Sequence, residues 1–243
     1  MTNIFDWRLI FTNIPKLMKY LPVTLEIAFL AYFFSLIIGL LVAIVRIKKP
    51  KVIYQIVSFY VSFTRGTPVL VQLYATYFGI PMILQLINFK FGTNLSTNFI
   101  PNIVFALFAL SLNDAAYSSE YIRASIESVD KGQREAAHSI GMTALQTMRR
   151  IIIPEALVVA LPSLGNSFIS LVKGTSLVFT CAVVEITAGG KLIAGRNYRY
   201  FEMYISLAII YWIITLVVSK IFAVLEKKMK CNEREVATVN DRN

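Results

Sequence analysis

Histidine and cysteine are nearly absent from this chain. One histidine, His138, and two cysteines, Cys181 and Cys231, are all that 243 residues supply. A metal centre needs several convergent ligands, and no such set can be assembled from them. The same scarcity excludes Ser–His–Asp and Cys–His nucleophilic sets, leaving His138 as a surface or docking residue. The two cysteines fall at different depths of the apolar pattern, so no disulfide framework is expected. There is no GxxxxGK[ST] phosphate loop, so the chain is not expected to hydrolyse nucleotide. No cofactor is implied. No internal repeat is visible, which weighs against an inverted-repeat secondary transporter.

Charge is also scarce, at 16% of residues, against 56% hydrophobic ones. The apolar residues come in long runs: Ile27–Val45, Gly66–Phe89, Phe91–Asn113, Ala156–Val172 and Met203–Ser219 carry no charged side chain. A helix needs about 20 apolar residues to cross the hydrocarbon core. The pattern predicts an all-α membrane protein with about five transmembrane helices, at Leu21–Val45, Pro68 to about Leu86, Ile103 to about Tyr121, Pro154–Val172 and Tyr204 to about Val224.

The formal charge of +10 does not point to nucleic acid. Basic residues gather beside the runs, at Arg46, Lys48, Lys49 and Lys51, at Arg123, Lys131, Arg134, Arg149 and Arg150, and at Lys220, Lys227, Lys228, Lys230, Arg234 and Arg242. Fewer lie on the opposite side: Arg8, Lys16, Lys19, Lys90, Lys173, Lys191, Arg196 and Arg199. The positive-inside rule places the N-terminus outside and the C-terminus inside. Residues 1–20 then form an external segment, either an interfacial amphipathic helix or a loosely held terminus. Residues 21–225 form the membrane region, with a cytoplasmic loop at 123–154. Residues 226–243 form a charged cytoplasmic tail expected to be flexible. Glu26, near the outer end of the first span, is expected to reach the headgroups.

Several polar residues sit inside this apolar frame. Arg65-Gly66-Thr67-Pro68 interrupts Val52–Ile87 and predicts an interfacial helix, Ile53–Phe63, a turn and then the second span. Gln72, in that span, is expected to face other helices. The third span carries Asn113, Asp114, Tyr117, Ser118, Glu120 and Tyr121. Asn113 and Tyr117 are deep enough to line a pathway, whereas Glu120 is spaced to pair with Arg123 at i,i+3. Pro162, Gly165, Asn166, Ser167 and Ser170 permit close helix approach in the fourth span. The stretch after it is too short to cross and suits a half-helix or an external interfacial helix. Lys173 at its start either faces an anionic group or anchors at the interface.

Asp130–Pro154 is the longest polar segment between apolar runs. Asp130 with Gln133, and Thr143 with Gln146, are spaced as helix N-caps. Gly141 between them supplies a turn, and Pro154 suits the first turn of a new helix. This predicts a folded helical loop that docks a partner.

The same loop resembles a known motif. Glu135-Ala136-Ala137, three residues, Gly141, nine residues and Ile151-Ile152-Ile153-Pro154 are similar to the EAA loop of ABC importer permeases, with Ile153 in place of Leu. Arg65–Pro81, Ser128–Ala137 and Leu171–Leu177 resemble the polar amino-acid uptake subgroup; the chain departs from it at Gly174, where Asp is frequent. The segments YLPVTLEIAF, SFTRGTPVLVQLY and SVDKGQREAA look most like cystine-type permeases of Gram-positive bacteria.

The resemblance covers nearly the whole chain and implies a type I ABC importer permease. Such a chain would be a non-enzymatic subunit of the cytoplasmic membrane that passes a polar amino acid inward. Glu135, Ala136, Ala137, Gly141, Ile151 and Pro154 would form the coupling element for two cytoplasmic ATP-binding ATPase subunits. An extracellular or periplasmic binding protein would deliver the amino acid, and a second permease subunit would complete the pathway. Gln72, Asn113, Asp114, Tyr117 and Lys173 are the pathway candidates by position, while Arg65, Gly66, Thr67, Pro68, Glu120 and Arg123 carry motif or structural roles. Two other readings stand beside this one: a proton-coupled secondary transporter using Asp114 or Glu120, and an intramembrane enzyme using Asp114 and His138.

Overall fold

The computed structural model describes residues 5–240 except 97–99, with side chains described up to residue 230. Ten α-helices follow one another among the described residues: α1 Trp7–Leu17, α2 Leu21–Lys48, α3 Lys51–Gly66, α4 Val69–Phe91, α5 Asn102–Glu127, α6 Lys131–Ser139, α7 Ala144–Thr147, α8 Ile153–Gly174, α9 Ile186–Ala194 and α10 Tyr200–Asn240. No strand occurs among the described residues.

Proline sets many of the boundaries. Pro50, Pro68 and Pro101 occupy the N-cap positions of α3, α4 and α5 with extended backbone, where a missing N–H removes no helical bond. The break at Arg65-Gly66-Thr67-Pro68 separates α3 from α4, as the sequence predicts. Lys49, at φ 50°, and Gly92, at φ 65°, close α2 and α4 in left-handed conformation.

Among the described residues, four helical stretches are long and apolar enough to cross a membrane: Trp7–Lys48, Val69–Phe91, Ala144–Cys181 and Tyr200–Lys230. The remaining expected span, α5, is about 39 Å long and so long enough. It falls short on composition because Asn113, Asp114, Glu120 and Arg123 fill its second half. The fold shelters that polarity. α5 is the central helix, packed on α2, α3, α4 and α8. Ala106, Ala109, Leu110, Ala115 and Ala116 are buried along it. The main core joins them to Ile27, Ala28 and Ala31 of α2, Leu73 of α4, and Phe168, Leu171 and Val172 of α8.

Small residues let these helices approach. A Cβ built on Gly165 would lie 2.7 Å from the Phe222 ring of α10, so any side chain there would displace that ring. The segment after α8 is a 3-10 helix, Thr175–Cys181, whose Val178 and Cys181 are fully buried. Its irregular backbone is held against protein, as a non-spanning segment at this depth requires.

Of the two forms expected for the N-terminal segment, Trp7–Leu17 takes the helical one: α1 packs on α10, burying Ile10, Asn13 and Leu17, and Ser206 Oγ donates to the Ile10 carbonyl at 2.9 Å. Two expectations need correction. The tail from residue 226 continues α10 as helix to Asn240 instead of forming a flexible end. No glycine or proline follows Val224, and Glu226 pairs with Lys230 at i,i+4, 2.6 Å apart. Cys231, Arg234 and Arg242 lie outside the described side chains. Finally, Pro154 does not open a separate helix. The chain runs from α7 through a π-helical turn, Met148–Ile152, directly into α8. The Ile153 N–H bonds to the Met148 carbonyl, five residues back. This wider turn accommodates a proline that cannot donate to the carbonyl of Arg150.

Candidate functional site

The α6–α7 loop is built as its sequence suggests. The Asp130 side chain accepts from the Gly132 N–H at 3.1 Å and caps α6. Gly141, at φ +81°, turns the chain, a conformation that strains other residues. Thr143 and Gln146 form a reciprocal capping box: the Thr143 N–H donates to Gln146 Oε1 at 2.8 Å, and the Gln146 N–H donates to Thr143 Oγ1 at 3.3 Å.

One face of this loop is fixed to the bundle. Ala137 is buried, and Arg134 Nη2 donates to the Ile126 carbonyl at 3.3 Å, tying α6 to α5. Val129, Ile152 and Ala156 form a small core of their own, with Ile126 and Met148 against it. The opposite face is free. Glu135, Ala136 and Pro154 are exposed, Ile151 is half-buried, and Ile140 and Leu145 are each 78% exposed. A rigid helical hairpin with an acidic residue and two bare apolar side chains has the anatomy of a docking element. His138 belongs to it, with Nδ1 at 3.1 Å from the Met142 carbonyl oxygen.

A cavity of about 350 Å³ opens between α5 and α8. Asn113, Asp114, Tyr117 and Tyr121 line it from α5, and Asn166, Ser167 and Ser170 from α8. Asp114 is buried and accepts three hydroxyl hydrogen bonds: from Ser35 of α2 at 2.6 Å, from Ser118 at 3.2 Å and from Ser167 at 2.5 Å. Gln72 does not line the cavity but braces it. Its amide N–H groups donate to the carbonyls of Thr64 and Thr67 and to Thr67 Oγ1, and its Oε1 accepts from Asn113 Nδ2 at 3.0 Å. The turn between α3 and α4 is therefore tied to α5. Arg65, from the same turn, stacks 5.4 Å above the Tyr117 ring. Gly66 ends α3, and Thr67 and Pro68 make the turn.

Lys173 does not join this group. It is exposed on α8 and is not among the cavity's lining residues. Glu120 also stands apart, in an ion-pair cluster: Arg123 lies at 2.8 Å, Arg46 of α2 contacts the other carboxylate oxygen, and Arg123 reaches Glu127 at 2.6 Å. The expected i,i+3 pair forms, and Arg46 extends it across two helices.

Sequence reasoning missed the second buried carboxyl of functional interest. Glu185 is fully buried in the connection between α8 and α10 and caps α9. It accepts from the Ala188 N–H at 2.9 Å and from the Tyr211 hydroxyl at 3.2 Å. Burial pushes its carboxyl up from the ordinary range, partly offset by hydrogen bonds from the Thr187 and Ala188 backbone. A lone acid inside an apolar stretch is the signal that marks it.

Residues 35–230 match the model of the binding-protein-dependent transport system inner membrane component family. The chain belongs to this family. It is 40% identical to a probable amino-acid permease protein, YxeN, of Bacillus subtilis, over 93% of this chain and 97% of that one. It is 39% identical to the L-cystine transport system permease protein TcyL of the same organism, over 100% of this chain and 99% of the relative. A crystal structure of an amino acid ABC transporter with histidines superposes with a TM-score of 0.78 at 37% identity, covering 94% of this chain and 100% of that chain.

Membership makes the protein a multi-pass permease subunit of an ABC importer in the cytoplasmic membrane, without catalytic activity of its own. ATP hydrolysis belongs to a separate ATPase subunit, and a substrate-binding protein is the other general partner. The proton-coupled alternative has no support. Asp114 and Glu120 instead join helices to one another, the first through three hydroxyls and the second through two arginines. The intramembrane-enzyme reading fails on placement, since Asp114 is buried among α2, α5 and α8 while His138 is exposed on α6.

Proposed function

We propose that this chain is the permease of an importer that carries a polar amino acid, of the L-cystine type, into the cytoplasm. The docking anatomy of the α6–α7 hairpin, fixed on one face and bare on the other, carries this reading. Glu135, Ala136, Ala137 and Gly141 contact the ATPase subunit, and Ile151 and Pro154 pass its movement through the π-helical turn into α8. Two ATPase subunits close on ATP and move two permease subunits between inward-open and outward-open states. The N-terminus faces outward, where the binding protein delivers its amino acid. The hairpin and the end of α10 face the cytoplasm, as the basic residues near them favour. Residues 21–225 form the permease unit.

The cavity between α5 and α8 is the solute pathway. A zwitterionic amino acid must exchange water for partners at both charged ends. Asp114 Oδ1 has one acceptor site beyond the three hydroxyl bonds for an ammonium group, and Asn113, Tyr117 and Asn166 offer donors for a carboxylate. Gln72 holds Asn113 in position. Relatives named for amino acids and for L-cystine support the solute class.

Cross-linking tests the hairpin directly. A cysteine placed by Ala136→Cys, which is exposed, should cross-link to the ATPase subunit in membranes holding the complete transporter. A cross-link formed only by cysteines on the opposite end of the bundle would overturn the reading.

A further inference from the structure

α1 and the 3-10 turn after it, Met18–Tyr20, present three distinct faces. Ile10, Asn13 and Leu17 are buried against the protein. The Asp6 N–H donates to Glu202 Oε1 at 3.2 Å, and Ser206 holds the Ile10 carbonyl, so this face is committed to α10. A second row, Trp7, Phe11, Pro15 and Met18, recurs at i, i+4, i+8 and i+11 and is exposed along its whole length. Trp7 and Phe11 meet edge to face at 6.2 Å while staying 59% and 60% exposed. A third row, Arg8, Thr12, Lys16 and Lys19, repeats the same spacing one residue further on, about 100° around the helix, and is exposed too.

The three cations of that row have no acidic partner at ion-pair distance among the described residues. Arg8 instead lies 5.8 Å above the Trp7 ring, bridging the basic and apolar rows. Further along the chain Phe29, Phe33, Ile37 and Leu41 form an exposed apolar row on α2, and Glu26 is the one charged residue between Lys19 and Arg46. The cations therefore stand where a hydrocarbon-facing surface ends, beside a tryptophan, which is the depth of the headgroups.

We infer that α1 is a binding surface for anionic phospholipid, with the lipid phosphate at Arg8, Lys16 and Lys19 and its acyl chain along Trp7, Phe11 and Met18. Charge complementarity and row order commit the surface to this occupant. A phospholipid joins an anion to an alkyl chain, and the helix offers a cation row directly alongside an apolar row. The long aliphatic stems of Lys16 and Lys19 let the ammonium groups reach the phosphate while lying on the acyl region. Through Ser206 and Glu202 the bound lipid steadies the start of α10. The inference rests on the membrane location and is independent of which solute is carried.

The chain has two tryptophans, Trp7 and Trp212. Trp212→Phe leaves Trp7 as the sole indole reporter. The full chain with this change is reconstituted in phosphatidylcholine vesicles holding a small fixed fraction of either brominated phosphatidylglycerol or brominated phosphatidylcholine. Brominated phosphatidylglycerol should quench Trp7 at least about two-fold more strongly, because each basic residue near a surface draws anionic lipid. The preference should shrink with added salt. Arg8→Gln, Lys16→Gln and Lys19→Gln together should erase it, and Arg8→Lys, Lys16→Arg and Lys19→Arg together should keep it. Equal quenching by the two lipids in the protein with its native cations overturns the inference, whether or not the glutamine variant folds. So does a Trp7 that neither lipid quenches but whose emission shifts when a binding protein is added, since the surface would then be a protein dock.

Discussion

Ser167 Oγ, on α8, donates a 2.5 Å hydrogen bond to Asp114 Oδ1, on α5. Ser35 brings α2 to the other carboxylate oxygen at 2.6 Å. One buried carboxylate thus clasps three helices at the wall of the cavity. Interhelical hydrogen bonds in membranes average only about 0.6 kcal/mol, but bonds to a charged group run higher, at about 1.5–3 kcal/mol. Ser167→Ala should therefore cost roughly 1–2 kcal/mol. Asp114→Ala should cost more, because it orphans the Ser118 and Ser167 hydroxyls and leaves Ser35 with only the Tyr32 carbonyl. Thermal unfolding in detergent is the readout, and unchanged midpoints for both variants would remove the clasp from the account.

Gly165 permits the contact between α8 and α10. With a Cβ placed 2.7 Å from the Phe222 ring, Gly165→Ala should destabilise by about 1–3 kcal/mol through overpacking. Adding Phe222→Leu should restore part of the loss. Failure of the second change to rescue the first would mean that the cost lies elsewhere.

Glu135 faces outward from the fixed hairpin. Glu135→Arg should abolish ATPase docking while leaving membrane insertion intact. Co-purification of the ATPase with the variant at the native level would count against Glu135 as a docking contact.

Glu185 makes stability depend on pH. Its carboxyl titrates above the ordinary range in the folded state because it is buried. Its neutral form is thus favoured on folding, so the stabilisation is complete below the unfolded carboxylate pKa and is lost as pH rises through the folded value. Unfolding midpoints measured from acid toward neutral pH should fall for the native chain relative to Glu185→Gln, whose curve should be flatter. Parallel curves would refute the assignment.

Much of the site was written locally. The capping box at Thr143 and Gln146, the turn at Gly141 and the break at Arg65–Pro68 depend on neighbours in sequence, and each forms as its residues dictate. The Glu120–Arg123 pair was legible for the same reason, whereas Arg46 was not, because it arrives from another helix. The same limit hid Ser35 as a donor to Asp114 and Gln72 as the brace for Asn113. Lys173 was grouped with the pathway by its position in the sequence, but it is exposed on α8 and does not line the cavity. Pro154 was read by its usual place at a helix start. A π-helical turn solved the same steric problem inside a continuous helix. The tail was read from its charge, which also serves i,i+4 pairing along a helix.

Uptake of labelled amino acids into proteoliposomes containing this chain tests the central claim most directly, with the ATPase subunit and the binding protein each supplied or withheld. The account predicts accumulation of one polar amino acid only when both partners and ATP are present. Accumulation driven by a proton gradient, with this chain alone in the membrane, would contradict it.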